Sequence, residues 1–72
     1  MKLLKIDEKN VGGYYILGCA YERLGQIDRG IENFSIVLQL DPNHVNAIFA
    51  RAACMNKKGD FTNAIEDYNK AL

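Results

Sequence analysis

GGYYILGCAYERLG, residues 12–25, can be read in three ways. The Tyr14-Tyr15-Ile16 run favours a strand. Its glycines suggest turns or a phosphate-cradling loop. It can also be a helix that tolerates Gly18. A shift of 34 residues decides among these readings, because it lays the stretch on NAIFARAACMNKKG, residues 46–59. That second stretch has no turn residue before its closing Gly59, and Ile48, Phe49, Ala52 and Met55 recur at helical spacing. Both stretches are therefore read as helices that stop at a glycine. The phosphate-loop reading fails separately: Gly12, Gly13 and Gly18 match neither GxGxxG nor GxxxxGK, and no Lys or Ser follows in register.

The same 34-residue shift extends outward in both directions. Val11 falls on Val45, Gly25 on Gly59, Ile31 on Ile65, Glu32 on Glu66 and Leu38 on Leu72. Tyr15 meets Phe49, Ile27 meets Phe61 and Phe34 meets Tyr68. Shifted backward, Leu4 meets Leu38, Ile6 meets Leu40 and Asp7 meets Asp41. The chain is thus expected to hold the tail of one unit at 1–10, a full unit at 11–44 and an incomplete unit at 45–72, within a single domain.

Inside a unit the period is helical. Ile27, Ile31, Phe34, Val37 and Leu38 form one apolar face, repeated by Phe61, Ile65, Tyr68, Ala71 and Leu72. Gly25 and Gly59 sit where a helix end wants a left-handed residue. Asp28 and Asp60 are placed to cap or electrostatically favour a helix start. Pro42 disfavours helix at Asp41 and suits the first turn of the next helix. The spacing predicts helices near 1–7, 11–24, 27–40, 44–58 and 61–72, with short loops that make neighbours antiparallel.

Composition narrows the function. Among the 72 residues, 9 basic and 9 acidic residues give a net charge of zero, unlike a general binder of nucleic acid or anionic membrane. No run of 18 apolar residues is present. The opening MKLLKIDEKN has its apolar stretch broken by Lys5 and Asp7, so it is not read as a signal peptide. Cys19 and Cys54 form no CxxC and His44 is the sole histidine, so no zinc site, other metal site or cofactor is expected. Two cysteines make no disulfide framework, which points to a reducing, intracellular and cytoplasmic setting. The Asn33-Phe34-Ser35 sequon is read as chance. A thiol nucleophile would need a base and an orienting acid. His44 falls at a helix start and the cysteines inside helices, so no enzyme is expected.

Residues 11–44 carry Tyr14-x2-Leu17-Gly18-x2-Tyr21, then Gly30-x3-Phe34, then Pro42. Residues 45–72 carry Ile48-x2-Arg51-Ala52-x2-Met55, then Ala64-x3-Tyr68. With the strict 34-residue period, this pattern resembles the tetratricopeptide repeat along the whole chain. The resemblance implies an all-α fold, antiparallel helix pairs stacked into a right-handed α-solenoid with a concave groove. It departs from the pattern at three places. Gly30 replaces an alanine, Glu8 stands where a proline is expected, and Arg51 replaces a core leucine. Arg51 is expected to weaken packing of the 45–58 helix or to extend outward on its aliphatic stem.

In such arrays the first helix of each pair lines the groove. The resemblance then points to Gly12, Tyr15, Cys19, Glu22 and Arg23, and to Asn46, Phe49, Ala53, Asn56 and Lys57. Each set is one stripe at spacings of three and four. The implied function is a protein-interaction scaffold that binds a peptide segment of a partner protein. Asn56 would meet a peptide backbone, Tyr15 and Phe49 would be apolar anchors, and Arg23 and Lys57 would favour carboxylates. Tyr15 and Phe49 can equally be packing residues between pairs. Arg51, Lys57 and Lys58 charge the 45–58 helix by +3, either as a solvated face or as a contact for an acidic partner. Glu22, Glu32, Glu66 and Asp67 are read as a solvated face. The lysine, asparagine and arginine clamp of co-chaperone repeat domains is not reproduced, since Tyr15, Cys19, Asn46 and Ala50 stand at matching positions. The alternative is a structural spacer in a longer array. An apolar face of Ile65, Tyr68 and Leu72 left uncovered is expected to promote self-association.

Overall fold

The computed structural model describes residues 10–72; the expected helix at 1–7 lies outside them. Four helices follow in order: α1 (Val11–Arg23), α2 (Ile27–Leu40), α3 (Val45–Lys58) and α4 (Phe61–Ala71). Their limits fall within one residue of those expected from the sequence. No strand occurs among the described residues, so the fold is all-α. α1 packs on α2, α2 on α3 and α3 on α4, with a lighter α1–α3 contact.

Both first helices end by the same local device. Gly25 and Gly59 take φ of 82° and 88°, a region open to glycine at little cost. Gly25 N–H donates to the Glu22 carbonyl and Gln26 N–H to the Tyr21 carbonyl, at 3.1 and 2.8 Å. In α3, Gly59 N–H donates to Asn56 and Asp60 N–H to Met55, at 3.1 and 2.9 Å. These paired bonds satisfy carbonyls that a helix end leaves open.

The helix starts differ from expectation. Asn10 Oδ1 accepts from Gly13 N–H at 2.8 Å. A Cβ on Gly13 would come within 3.0 Å of the Asn10 amide nitrogen, so this glycine gives the capping side chain room. His44 caps α3, its Nδ1 accepting from Ala47 N–H at 3.0 Å. Asp60 precedes α4, but its carboxylate accepts from the Asn63 side chain at 2.8 Å and bonds no backbone N–H there. Pro42 is not in a helical first turn. It lies in the turn between α2 and α3, where His44 N–H donates to the Asp41 carbonyl at 3.1 Å. Asp41 is extended there (φ −143°, ψ 87°), as the residue before proline prefers.

The core is built mainly from α2 and α3. Phe34, Val37, Ala47, Ile48, Ala52, Cys54 and Ala64 are its buried apolar residues. Gly18 and Gly30 are buried where α1 crosses α2. A Cβ on Gly18 would lie 2.6–2.9 Å from the Phe34 ring, and one on Gly30 would lie 3.2 Å from the Gly18 carbonyl oxygen. The two glycines thus let the helices approach closely, and Phe34 fills the space over Gly18. On the outer side of α4, Ile65 and Leu72 are exposed and Phe61 joins them. Tyr68, expected with them, is half-buried with its ring 6.0 Å from that of Phe49.

Candidate functional site

Three cations rise from α3, and each has a partner. Arg51 is neither a packing defect nor an outward stem. Its Nε and Nη2 donate to the two Asp67 carboxylate oxygens at 2.7 and 2.9 Å, and Nη1 donates to Ser35 Oγ at 3.1 Å. The bidentate geometry suits a guanidinium and a carboxylate. It ties α2, α3 and α4 together. Asp67 is 3% exposed, so it does not belong to the solvated face assigned to it, where Glu32 and Glu66 do lie. Among the described residues, no buried side-chain polar atom lacks a partner.

The other two cations sit in the last turn of α3 and reach back to the first helix pair. Lys57 Nζ bonds Glu22 Oε2 on α1, and Lys58 Nζ bonds Asp28 Oδ1 on α2 at 2.6 Å. The bond to Glu22 raises the Lys57 ammonium above its ordinary range, and the bond to Asp28 does the same for Lys58. Both ammonium groups therefore keep their charge at neutral pH. The +3 patch of the bare sequence is therefore neutralised by the chain itself. Arg29 lies 5.7 Å over the Tyr21 ring, fastening the start of α2 to α1.

The groove stripe divides once its surroundings are known. Cys19 is half-buried, and Arg23, Asn46, Phe49 and Asn56 are exposed on α1 and α3. Glu22 and Lys57 face each other between the two helices. Tyr15 is mainly a packing residue, its ring 5.7 Å from Phe34 and 5.3 Å from His44. Burial raises its phenol first, and the neighbouring Cys19 adds to the rise. Gly12 is exposed and Ala53 half-buried.

Sequence reasoning missed the Arg51–Asp67–Ser35 cluster, His44 as a cap, and both lysine bridges. One signal was present for the first. Arg51 fills the slot of Leu17 in the 34-residue register, and Asp67 lies between Ala64 and Ala71 on the small-residue side of α4. Opposite charges at two core-register positions one helix apart imply a pair.

The two thiols differ in access. Cys54 is fully buried and burial raises its thiol, with Glu22 adding to the rise. Its Sγ lies 3.6 Å from where a Gly30 Cβ would be. Cys19 is accessible in part. A disulfide reagent such as DTNB at neutral pH is expected to modify one thiol of the native chain rapidly, mapped to Cys19. Cys54 should react at least tenfold more slowly, limited by opening of the fold. Equal rates for both would contradict the buried placement of Cys54.

Among the described residues, no group of three or more His, Cys, Asp and Glu could hold a metal ion, and no helix is long and apolar enough to cross a membrane.

Residues 11–44 match the tetratricopeptide repeat, and residues 46–72 match it a second time. Tetratricopeptide repeat protein 14 of Mus musculus is 32% identical over 78 aligned residues, covering 99% of this chain and 10% of that protein. A tetratricopeptide repeat and J domain-containing co-chaperone of Cryptococcus neoformans is 30% identical over 85% of this chain and 12% of its own length. A DnaJ homolog subfamily C member 7 homolog of Dictyostelium discoideum is 30% identical over 93% of this chain and 12% of its own length. The chain spans about a tenth of the length of the curated relatives it matches.

Proposed function

The chain belongs to the tetratricopeptide repeat family, and from that premise we propose that α1 and α3 line a groove that takes a peptide segment of a partner protein. Repeats of this family generally mediate protein–protein contact and serve as non-catalytic scaffolds. One observation carries the groove reading. α1 and α3 touch directly, and Arg23, Asn46, Phe49 and Asn56 stay open to solvent on them, with Cys19 accessible in part, while α2 and the inner faces hold the core. Phe49 supplies an apolar anchor. Asn46 and Asn56 supply paired donors and acceptors for a peptide main chain. In this reading residues 11–44 are one repeat and 45–72 part of the next.

The test is selection of peptides from a random library displayed on phage, with the chain as bait. Recovered peptides should lose at least tenfold in affinity on Phe49→Ala/Asn56→Ala. They should keep it on Phe61→Ala/Thr62→Ala, a pair of exposed α4 positions. Failure to enrich any peptide, or enrichment indifferent to Phe49 and Asn56, argues against the groove.

The second reading is a spacer that contacts only its neighbours in an array. Two observations favour it: Glu22 and Lys57 satisfy each other, and Phe61, Ile65 and Leu72 expose an apolar edge on α4. Under it, that edge drives concentration-dependent self-association, read by sedimentation velocity, while the peptide library yields nothing.

A further inference from the structure

We infer that the groove is built for an uncharged peptide segment and that Glu22 acts as its built-in filter against acidic ones. This rests on the groove reading above and goes beyond it by naming the chemistry of the occupant. The bare sequence suggests a carboxylate-binding surface, with Lys57 and Arg23 as its cations. The folded chain removes most of that attraction. Lys57, on the α3 side, is already bonded to the carboxylate of Glu22, on the α1 side. Lys58 is bonded to Asp28 and Arg51 to Asp67. Arg23, at the end of α1, is the other cation of the stripe and has no ion-pair partner among the described residues.

An incoming carboxylate therefore meets an ion pair and not a free ammonium. To reach Lys57 it must displace Glu22, exchanging one carboxylate for another. The displaced Glu22 then stands close to the ligand with like charge. Two unit charges about 4 Å apart interact by about fivefold in an equilibrium constant even in water, and more near a protein surface. A neutral segment pays no such penalty. It leaves the bridge in place, lays an apolar side chain against Phe49, and offers its main chain to Asn46 and Asn56. At the Glu22–Lys57 pair the groove thus favours a neutral stretch with an apolar anchor, and Arg23 at the end of α1 is left to meet the rest of the occupant.

The experiment is the same phage selection, run in parallel on the wild-type chain and on Glu22→Gln, followed by affinities of individual peptides at fixed ionic strength. Wild type should recover peptides of near-zero net charge. Glu22→Gln should recover peptides enriched in Asp and Glu, and these should bind it roughly fivefold or more tighter than they bind wild type. Adding Lys57→Ala to Glu22→Gln should erase that gain. Acidic peptides recovered by wild type, or pools of the same charge from both chains, would overturn the filter. If such pools still depend on Phe49 and Asn56, the groove reading survives and the filter alone is lost. If neither chain recovers a peptide, both fall together. Circular dichroism of each variant, expected to match wild type because Lys57 is exposed and glutamine has the shape of the half-buried Glu22, separates these outcomes from misfolding.

Discussion

Replacing Asp67 with alanine is expected to destabilise the chain by about 2–4 kcal/mol, lowering its melting temperature by roughly 10 °C or more. The loss comes less from the missing attraction than from what remains. Asp67 accepts two of the three hydrogen bonds of Arg51, and the guanidinium is largely taken from water, with 19% of its side chain exposed. Without Asp67, that charge keeps Ser35 alone. The residual exposure places the effect toward the lower part of the range for a buried pair, because Arg51 has a short path back to solvent. The decisive comparison is the double variant Arg51→Leu/Asp67→Ala, which installs the residue that the first unit carries at Leu17. It should recover at least half of the loss, since an apolar pair needs no partner. Urea unfolding of the three chains measures this. If Asp67→Ala lies within about 0.5 kcal/mol of wild type, the guanidinium swings out to water and the cluster does not lock the helices.

The second large effect concerns Phe34. Its ring is 1% exposed and fills the space over Gly18. Truncation to alanine should cost about 3–5 kcal/mol. A chain of 72 residues has a total stability of roughly 4–11 kcal/mol, so Phe34→Ala should remove a large fraction of it and lower the melting temperature by roughly 12 °C or more. The packing also predicts a change of sign elsewhere. In the wild-type chain, Gly18→Ala gains about 1 kcal/mol of helix propensity but drives a methyl into the ring, which costs about 1–3 kcal/mol. The net is neutral to destabilising. In the Phe34→Ala background the ring is gone, only the propensity gain remains, and the same substitution should stabilise by up to about 1 kcal/mol. A four-chain urea cycle tests this coupling. Equal effects of Gly18→Ala in both backgrounds would show that Phe34 does not fill the Gly18 position in solution.

The limits of the four described helices were legible because they are encoded locally. Gly25, Gly59 and Pro42 act through their own backbone preferences, and the apolar faces repeat at helical spacing within one helix. The 34-residue register carried the rest of the fold, since it places the small residues Gly18 and Ala52, and Gly30 and Ala64, at equivalent positions. The charges were legible only in part. Lys57 and Glu22 are 35 residues apart, and Arg51 and Asp67 are 16 apart. Their pairing depends on how helices stack, which no window of the sequence contains. Read singly, Glu22, Lys57 and Asp67 look solvated, and Arg51 stands out only as a charge in a core-leucine slot. Tyr15 shows the converse. Periodicity places it on the same face of α1 as Cys19 and Glu22, but His44 packs on it from the turn after α2, a contact that helical periodicity cannot express.

α2 has a consequence of its own. It shares the 11–44 unit with α1, yet it packs against α3 as well, and Phe34, Val37 and Gly30 lie buried between these neighbours. The unit that the sequence duplicates is therefore not the unit that melts. Loss of α3 would strip one side of α2 and weaken its hold on α1, so the two helix pairs should rise and fall together in a single cooperative transition. Sequence periodicity marks where the gene's pattern restarts, and cooperativity runs across that mark without a break.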